Sequence, residues 1–327
     1  MTINGIEALV YGVDDVARSV RFFEDFGLPL VNSDAAHASF RLEEGSRVEI
    51  RNLNDPLLPP SASLIGQGVR EVIWGVDTAE SLNALVAGLE PDHKLRVDSD
   101  GTVHFVPSFG IPMGFRVFEK KAVVYAPDPV NAPGHVTRLN RHRKWRMRAR
   151  PKVIQHVVFQ LPEYDKAQLF MRERLGFYLT DIQDTFAYYL RANGTNNHHN
   201  ILMLNANGSF PGNDGTTRFH HANFGVEDID EMMVGVNHLV RQGWAPSELG
   251  LGRHRIDSAL FYYVPCPAGG EAEYGADSDY VDDSWVPRRW LDPLFAFSYF
   301  NHNLPPFLKN PPAWEIEYLE SPPPAKG

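Results

Sequence analysis

Cysteine is almost absent from this sequence. Cys266 stands alone among 327 residues, so no disulfide can close within the chain and no multi-cysteine zinc site can be built. Long apolar runs are missing too. No stretch approaches eighteen consecutive hydrophobic residues, which argues against a membrane span. The opening residues, MTINGIEALVYGVDD, carry no basic stretch followed by an apolar one, so no secretory leader is expected. Positive charge is in deficit: 31 Lys and Arg face 41 Asp and Glu, for a formal net charge of -10. Such a chain repels phosphate backbones, so nucleic acid is not the expected partner. A reducing cytoplasm fits these absences. With 43% hydrophobic residues there is enough apolar material for a packed core, and the length allows two compact domains or one large one.

What is present is a weak internal repeat. Residues 5–13 (GIEALVYGV) and 153–161 (VIQHVVFQL) both read as strands, and each leads into an amphipathic helix. Asp14 is the expected N-cap of the first helix, and Gly27 and Gly176 are the expected stops. Further along, 69–89 parallels 219–240 as a strand, an acidic helix start and a helix. Segments 103–120 and 261–275 then both read as hairpins turning at Pro and Gly. The expected fold is α+β: tandem β-α-β-β-β units forming two modules, each a curled mixed sheet. The expected divisions are a first module over 1–137, a connector over 138–152, a second module over 153–282 and an arm over 283–327.

The connector carries eight Lys or Arg. A solvated strap whose charges pair with an acidic body is favoured over a nucleic-acid patch, because short basic runs are poorly specific. The arm is rich in Trp, Phe and Pro and is expected to pack on the body or on a neighbouring subunit. Its last residues, SPPPAKG, are expected to fray.

Seven of the thirteen histidines lie in the second module. His156 sits in its first strand, His221 at the start of FHHANFGV, and Glu273 in the last strand. In a curled sheet these three positions can converge. Two neutral imidazoles and one carboxylate on a concave wall leave coordination positions open, as in non-haem Fe(II) oxygenases. Aligned on the repeat, the first module places Ala8 opposite His156, Glu71 opposite His221, and Val117 within one residue of the position opposite Glu273. It has no second triad, so one metal per chain is expected. Strict alternation turns His220 to the face opposite His221. Glu271 shares a face with Glu273 and competes with it. His198 competes with His199, and either Tyr262 or Tyr263 must point inward.

The second module resembles the type I extradiol dioxygenases of the vicinal oxygen chelate superfamily. Three passages carry the likeness: IQHVVF with a helix ending LGF, HHANFGV, and the run from His254 through Tyr263, Pro267 and Gly269 to Glu273. Tyr262 and Cys266 depart from the family pattern. The resemblance implies one Fe(II), or Mn(II), held by His156, His221 and Glu273. It implies His199 as acid-base catalyst, Tyr263 as the hydrogen-bond partner of a substrate oxygen, and His254 as a further histidine near the metal. It also implies ring opening of a catechol by dioxygen to a muconate-semialdehyde type product, in a homo-oligomer. Rival readings are a hydroquinone- or 4-hydroxyphenylpyruvate-type dioxygenase of the same fold, and a metal-free binding protein of the bleomycin-resistance type. Which catechol is used is not legible at this level.

Overall fold

The computed structural model describes residues 2–60, 63–208 and 213–319. Two sheets dominate, and they are built on one plan. The first contains β1 (Ile3–Val13), β2 (Leu30–Ser33), β3 (His37–Arg41), β4 (Arg47–Asn52), β5 (Gly68–Val76), β6 (Arg96–Val97), β7 (Val103–Phe105) and β8 (Met113–Val117), with helices α1 (Val16–Phe26) and α2 (Ala79–Leu89). The second contains β9 (Val153–Leu161), β10 (Tyr178–Gln183), β11 (Ala187–Arg191), β12 (Ile201–Asn205), β13 (Arg218–Gly225), β14 (Gly252–Arg253), β15 (Leu260–Pro265) and β16 (Glu271–Ala276). It also carries β17 (Arg288–Trp290), β18 (Phe300–Asn301) and β19 (Ile316–Tyr318), with helices α3 (Tyr164–Glu173), α4 (Ile229–Arg241) and α5 (Pro293–Phe297).

The first sheet runs β2-β3-β4-β1-β5-β8-β7-β6, and the middle of the second runs β14-β15-β16-β13-β9-β12-β11-β10, the same order reversed. Each half-sheet is one β-α-β-β-β unit. The long strands β1 and β5, or β9 and β13, pair antiparallel at the centre.

Local chemistry explains the helix ends. The side chain of Asp15, not Asp14, caps α1 by accepting from the Arg18 N–H at 2.9 Å. The side chain two residues before the first buried apolar position, Val16, is one step too early for that bond. Gly27 ends the helix at φ +106°, and a Cβ there would lie 2.2 Å from the Ala149 carbonyl oxygen. Asp228 caps α4 through the Glu231 N–H at 2.9 Å.

Register refines the alignment of the two halves. Glu71 faces Val10 across β5 and β1, as His221 faces Val158 across β13 and β9. Ala8 and Glu71 therefore occupy the places of His156 and His221, as expected. The counterpart of Glu273 is Gly114, three residues before the expected Val117: Ile73 pairs with Gly114 as Asn223 pairs with Glu273. The two hairpins pair in equivalent register, His104 with Gly114 as Tyr263 with Glu273, so the cross-strand pairing and not the end of the strand fixes the counterpart. In the first module Ala8, Val10 and Ile73 form a small apolar cluster with Leu58, and Ile73 fills the space a side chain at Gly114 would need.

One apolar core runs through both modules. Phe26 of α1 stacks on Tyr274 of β16 with ring centres 4.0 Å apart, and the Tyr274 hydroxyl donates to the Phe26 carbonyl at 2.6 Å. The basic connector lies over the acidic start of α4. Arg143 pairs with Asp230, Lys144 and Arg146 with Glu227, and Lys152 with Glu231. From residue 283 the chain adds strands to both edges of the second sheet: β17 and β19 beside β10, and β18 beside β14. The terminal SPPPAKG lies outside the described residues. Among the described residues no helix is long and apolar enough to cross a membrane.

Candidate metal centre and its pocket

Three adjacent strands, β9, β13 and β16, bring His156, His221 and Glu273 to one point. Cross-strand pairing sets His156 and Glu273 level, both beside Asn223, and His221 stands two residues along β13. The Nε2 atoms of the two histidines are 3.3 Å apart, and each lies 3.3 Å from Oε2 of Glu273. An equilateral triangle of that size matches one face of the coordination shell of a first-row divalent ion. All three side chains are buried, and Glu273 Oε2 has no hydrogen-bond partner. An unpaired carboxylate oxygen in the interior carries a large desolvation cost. A cation at the centre of the triangle removes that cost, so the residues fit a metal. Burial, followed by the neighbouring histidines, holds the His221 imidazole well below its ordinary pKa, in the neutral form a ligand requires.

His220 does not turn away as alternation predicted. Phe219 pairs with Phe159 and His221 with the next residue, Val158, so His220 is the extra residue of a β-bulge. Both imidazoles reach the same cavity, and their Nδ1 atoms are 2.7 Å apart.

A cavity of about 520 Å³ opens beside the triangle. Of the adjacent pair, His199 lines it, with its ring 4.1 Å from that of His156. His198, also buried, turns away from the cavity and donates through Nε2 to Asp181 at 3.0 Å. Asp181 is fully buried and also accepts from the Arg288 backbone N–H at 2.9 Å and its guanidinium at 2.6 Å. The His198 and His199 Nδ1 atoms are 3.1 Å apart. Because His198 carries its proton on Nε2, its Nδ1 accepts from His199 Nδ1–H, and Nε2 of His199 is left with a lone pair. Burial, then the adjacent histidines, holds His199 well below its ordinary pKa.

Tyr263 faces the cavity, whereas the Tyr262 hydroxyl accepts from the Ser247 N–H. His254 Nδ1 donates to the Phe297 carbonyl, so its Nε2 accepts from the Tyr263 hydroxyl at 3.1 Å. Burial first, then Glu273, raises the Tyr263 phenol well above its usual range. Glu271 also lines the cavity; burial, Glu273 and Glu248 push its carboxyl up to about 7. His198, His199 and Asp257 form a second group of close donors, but Asp181 already engages His198.

Of the wall candidates read from the sequence, Phe186 and Phe297 line the cavity and Tyr188 does not; Asp181, Arg288, Tyr189 and the wall supplied by Pro305, Pro306 and Phe307 were missed. None of these carries a local pattern. Asp257 lies inside the 254–273 run and is the one residue a closer look at that segment would have raised.

No protein-family model matches the sequence. The chain is 30% identical over 134 residues to metapyrocatechase 2 of Cupriavidus necator, covering 41% of this chain and 39% of that protein. It is 33% identical over 146 residues to biphenyl-2,3-diol 1,2-dioxygenase of Paraburkholderia xenovorans, covering 42% of this chain and 45% of that protein. These alignments span less than half the length of the curated relatives. Among solved structures, a Mn(II)-bound glyoxalase from Novosphingobium aromaticivorans superposes with a TM-score of 0.70 at 21% identity, covering 95% of each chain. The chain therefore has the fold of that glyoxalase. Its sequence similarity to the two curated dioxygenases is confined to about two fifths of the chain.

Proposed function

We propose that the chain is an Fe(II)-dependent extradiol dioxygenase, in which His156, His221 and Glu273 hold the metal and a catechol is opened by dioxygen to a muconate-semialdehyde type product. The observation that carries this reading is the orphaned Glu273 Oε2 in a buried 3.3 Å triangle of donors on the wall of a cavity. A relative from Rhodococcus jostii is named an iron-dependent extradiol dioxygenase and a structural neighbour is Mn(II)-bound, which supports Fe(II) with Mn(II) as the substitute. An ion held by these residues would supply Lewis acidity toward the diol and a binding place for dioxygen.

The protein's own groups then divide the remaining work. His199 Nε2 takes a proton from the diol and returns it later, as a general base and acid. Tyr263, tied to His254 and through it to the Phe297 carbonyl, holds an oxygen of the ring substrate in a fixed direction. Apolar walls from Phe186, Leu202, Leu204 and Ile256 exclude water. We place the protein in the cytoplasm as a homo-oligomer. The lone buried Cys266 supports the first, and exposed Trp145, Met147 and Trp314 support the second; light scattering reads the assembly.

Anaerobic loading with Fe(II), followed by oxygen uptake and ring-fission absorbance on a catechol panel, tests the reading. Turnover of catechols is expected. Turnover confined to hydroquinone or 4-hydroxyphenylpyruvate, or protein that retains no metal, overturns it. His199→Ala is expected to keep its iron and lose about 100-fold or more in kcat.

A further inference from the structure

The charged lining of the cavity has one sign. Glu248, Asp257 and Glu271 all reach it, and no Lys or Arg does among the described residues. Glu271 shares the face of Glu273 two residues earlier on β16, about 6.8 Å along the strand, and is the less buried of the two. Glu248 is exposed at the opening. The rest of the surface is mainly apolar, with Phe186, Leu204 and Phe307 among its walls, and 520 Å³ leaves most of the cavity empty around a bare dihydroxybenzene.

Resting on the dioxygenase reading, we propose that the site takes catechols bearing a bulky apolar or amine-bearing side group and rejects carboxylated catechols, with Glu271 as the residue that sets this preference. A carboxylate entering the cavity loses its water and meets neither an ammonium nor a guanidinium. It also stands beside carboxyl groups, and like charges brought together in a site of low polarity repel strongly. The charge of a bound metal is offset by Glu273 and the ring oxygens and does not serve the distal substituent. An alkyl or aryl group gains from the apolar wall, and an ammonium gains from Glu271 and Glu248.

The test uses the Fe(II)-loaded full chain and catechols carrying an ethyl, an aminoethyl or a carboxymethyl group. The carboxymethyl compound is expected to fall at least about tenfold below the ethyl one in kcat/KM, with the aminoethyl compound at or above it. Glu271→Gln is expected to close most of the carboxymethyl-to-ethyl gap, read as a ratio. Glu248→Gln at the exposed mouth is expected to close part of it and stands in if the first variant does not fold. Equal rates on the carboxymethyl and ethyl compounds, or a gap that neither variant changes, overturns the proposal. If none of the three rings is opened, the dioxygenase reading fails. The charge preference is then judged by anaerobic calorimetric binding of the same compounds to the metal-loaded protein, with the same order expected and equal affinities overturning it.

Discussion

Asp181 has no exposed surface, yet it settles which nitrogen of a neighbouring ring bears a proton. It accepts from His198 Nε2, is held in turn by Arg288, and so leaves His198 Nδ1 to receive the His199 Nδ1–H. Replacing it with Asn keeps the shape and removes the preference for that tautomer. Asp181→Asn is expected to lower kcat on the order of tenfold to a hundredfold with iron content near wild type. Steady-state kinetics with parallel metal analysis checks this, and a matching loss of iron would reduce Asp181 to a role in holding the metal. Glu271 yields a pH prediction for the metal-free protein. Its carboxyl sits at about 7 in the folded state against an ordinary 4.5. The folded state therefore holds the proton more tightly than the unfolded one. This contribution to stability is complete below pH 4.5 and is lost as pH rises to about 7. Glu271→Gln should melt near wild type at pH 4 and above it at pH 8, and thermal scans at the two values decide.

At the scale of elements, the chain after residue 283 closes the pocket. It runs from β17 at one edge of the second sheet to β18 at the other and back to β19, and Phe297 meets the cavity on the outward pass and Phe307 on the return. Phe307→Ala is expected to raise KM for an aryl-substituted catechol by roughly tenfold, about 1.4 kcal/mol of lost apolar contact. It should change KM for unsubstituted catechol far less, and paired saturation curves read the difference. Much of the architecture was legible in the sequence because strands and helices recur with matching periodicity in both halves. The convergence of His156, His221 and Glu273 was legible because donors of metal-binding type fall at matching positions in three strands of one curled sheet. The bulge at His220 was not, since one extra residue in a strand leaves no mark on composition. Nor were Asp181 and Arg288, which lie 107 positions apart in the chain and meet only through the pairing of β10 with β17.

At the scale of the whole molecule, the shared core makes the two modules dependent on each other. Tyr274 adjoins Glu273 and is clamped against Phe26 of the other module. Tyr274→Ala is expected to cost about 3–5 kcal/mol. Both modules should still melt together, as followed by calorimetry and by labelling of Cys266. The Cys266 thiol is buried and pushed up to about 12, so it reacts only when the fold opens. Two separated transitions would show that the modules fold independently.

The small apolar cluster around Ile73 has a consequence of its own. Both halves share strand order and register, so the first half repeats the backbone of the second with other side chains at the donor positions. What divides labour between them is a handful of side chains at Ala8, Glu71, Ile73 and Gly114, while the backbone stays common to both. A duplicated scaffold of this kind can let one copy drift freely in its chemistry while its strands go on bracing the other.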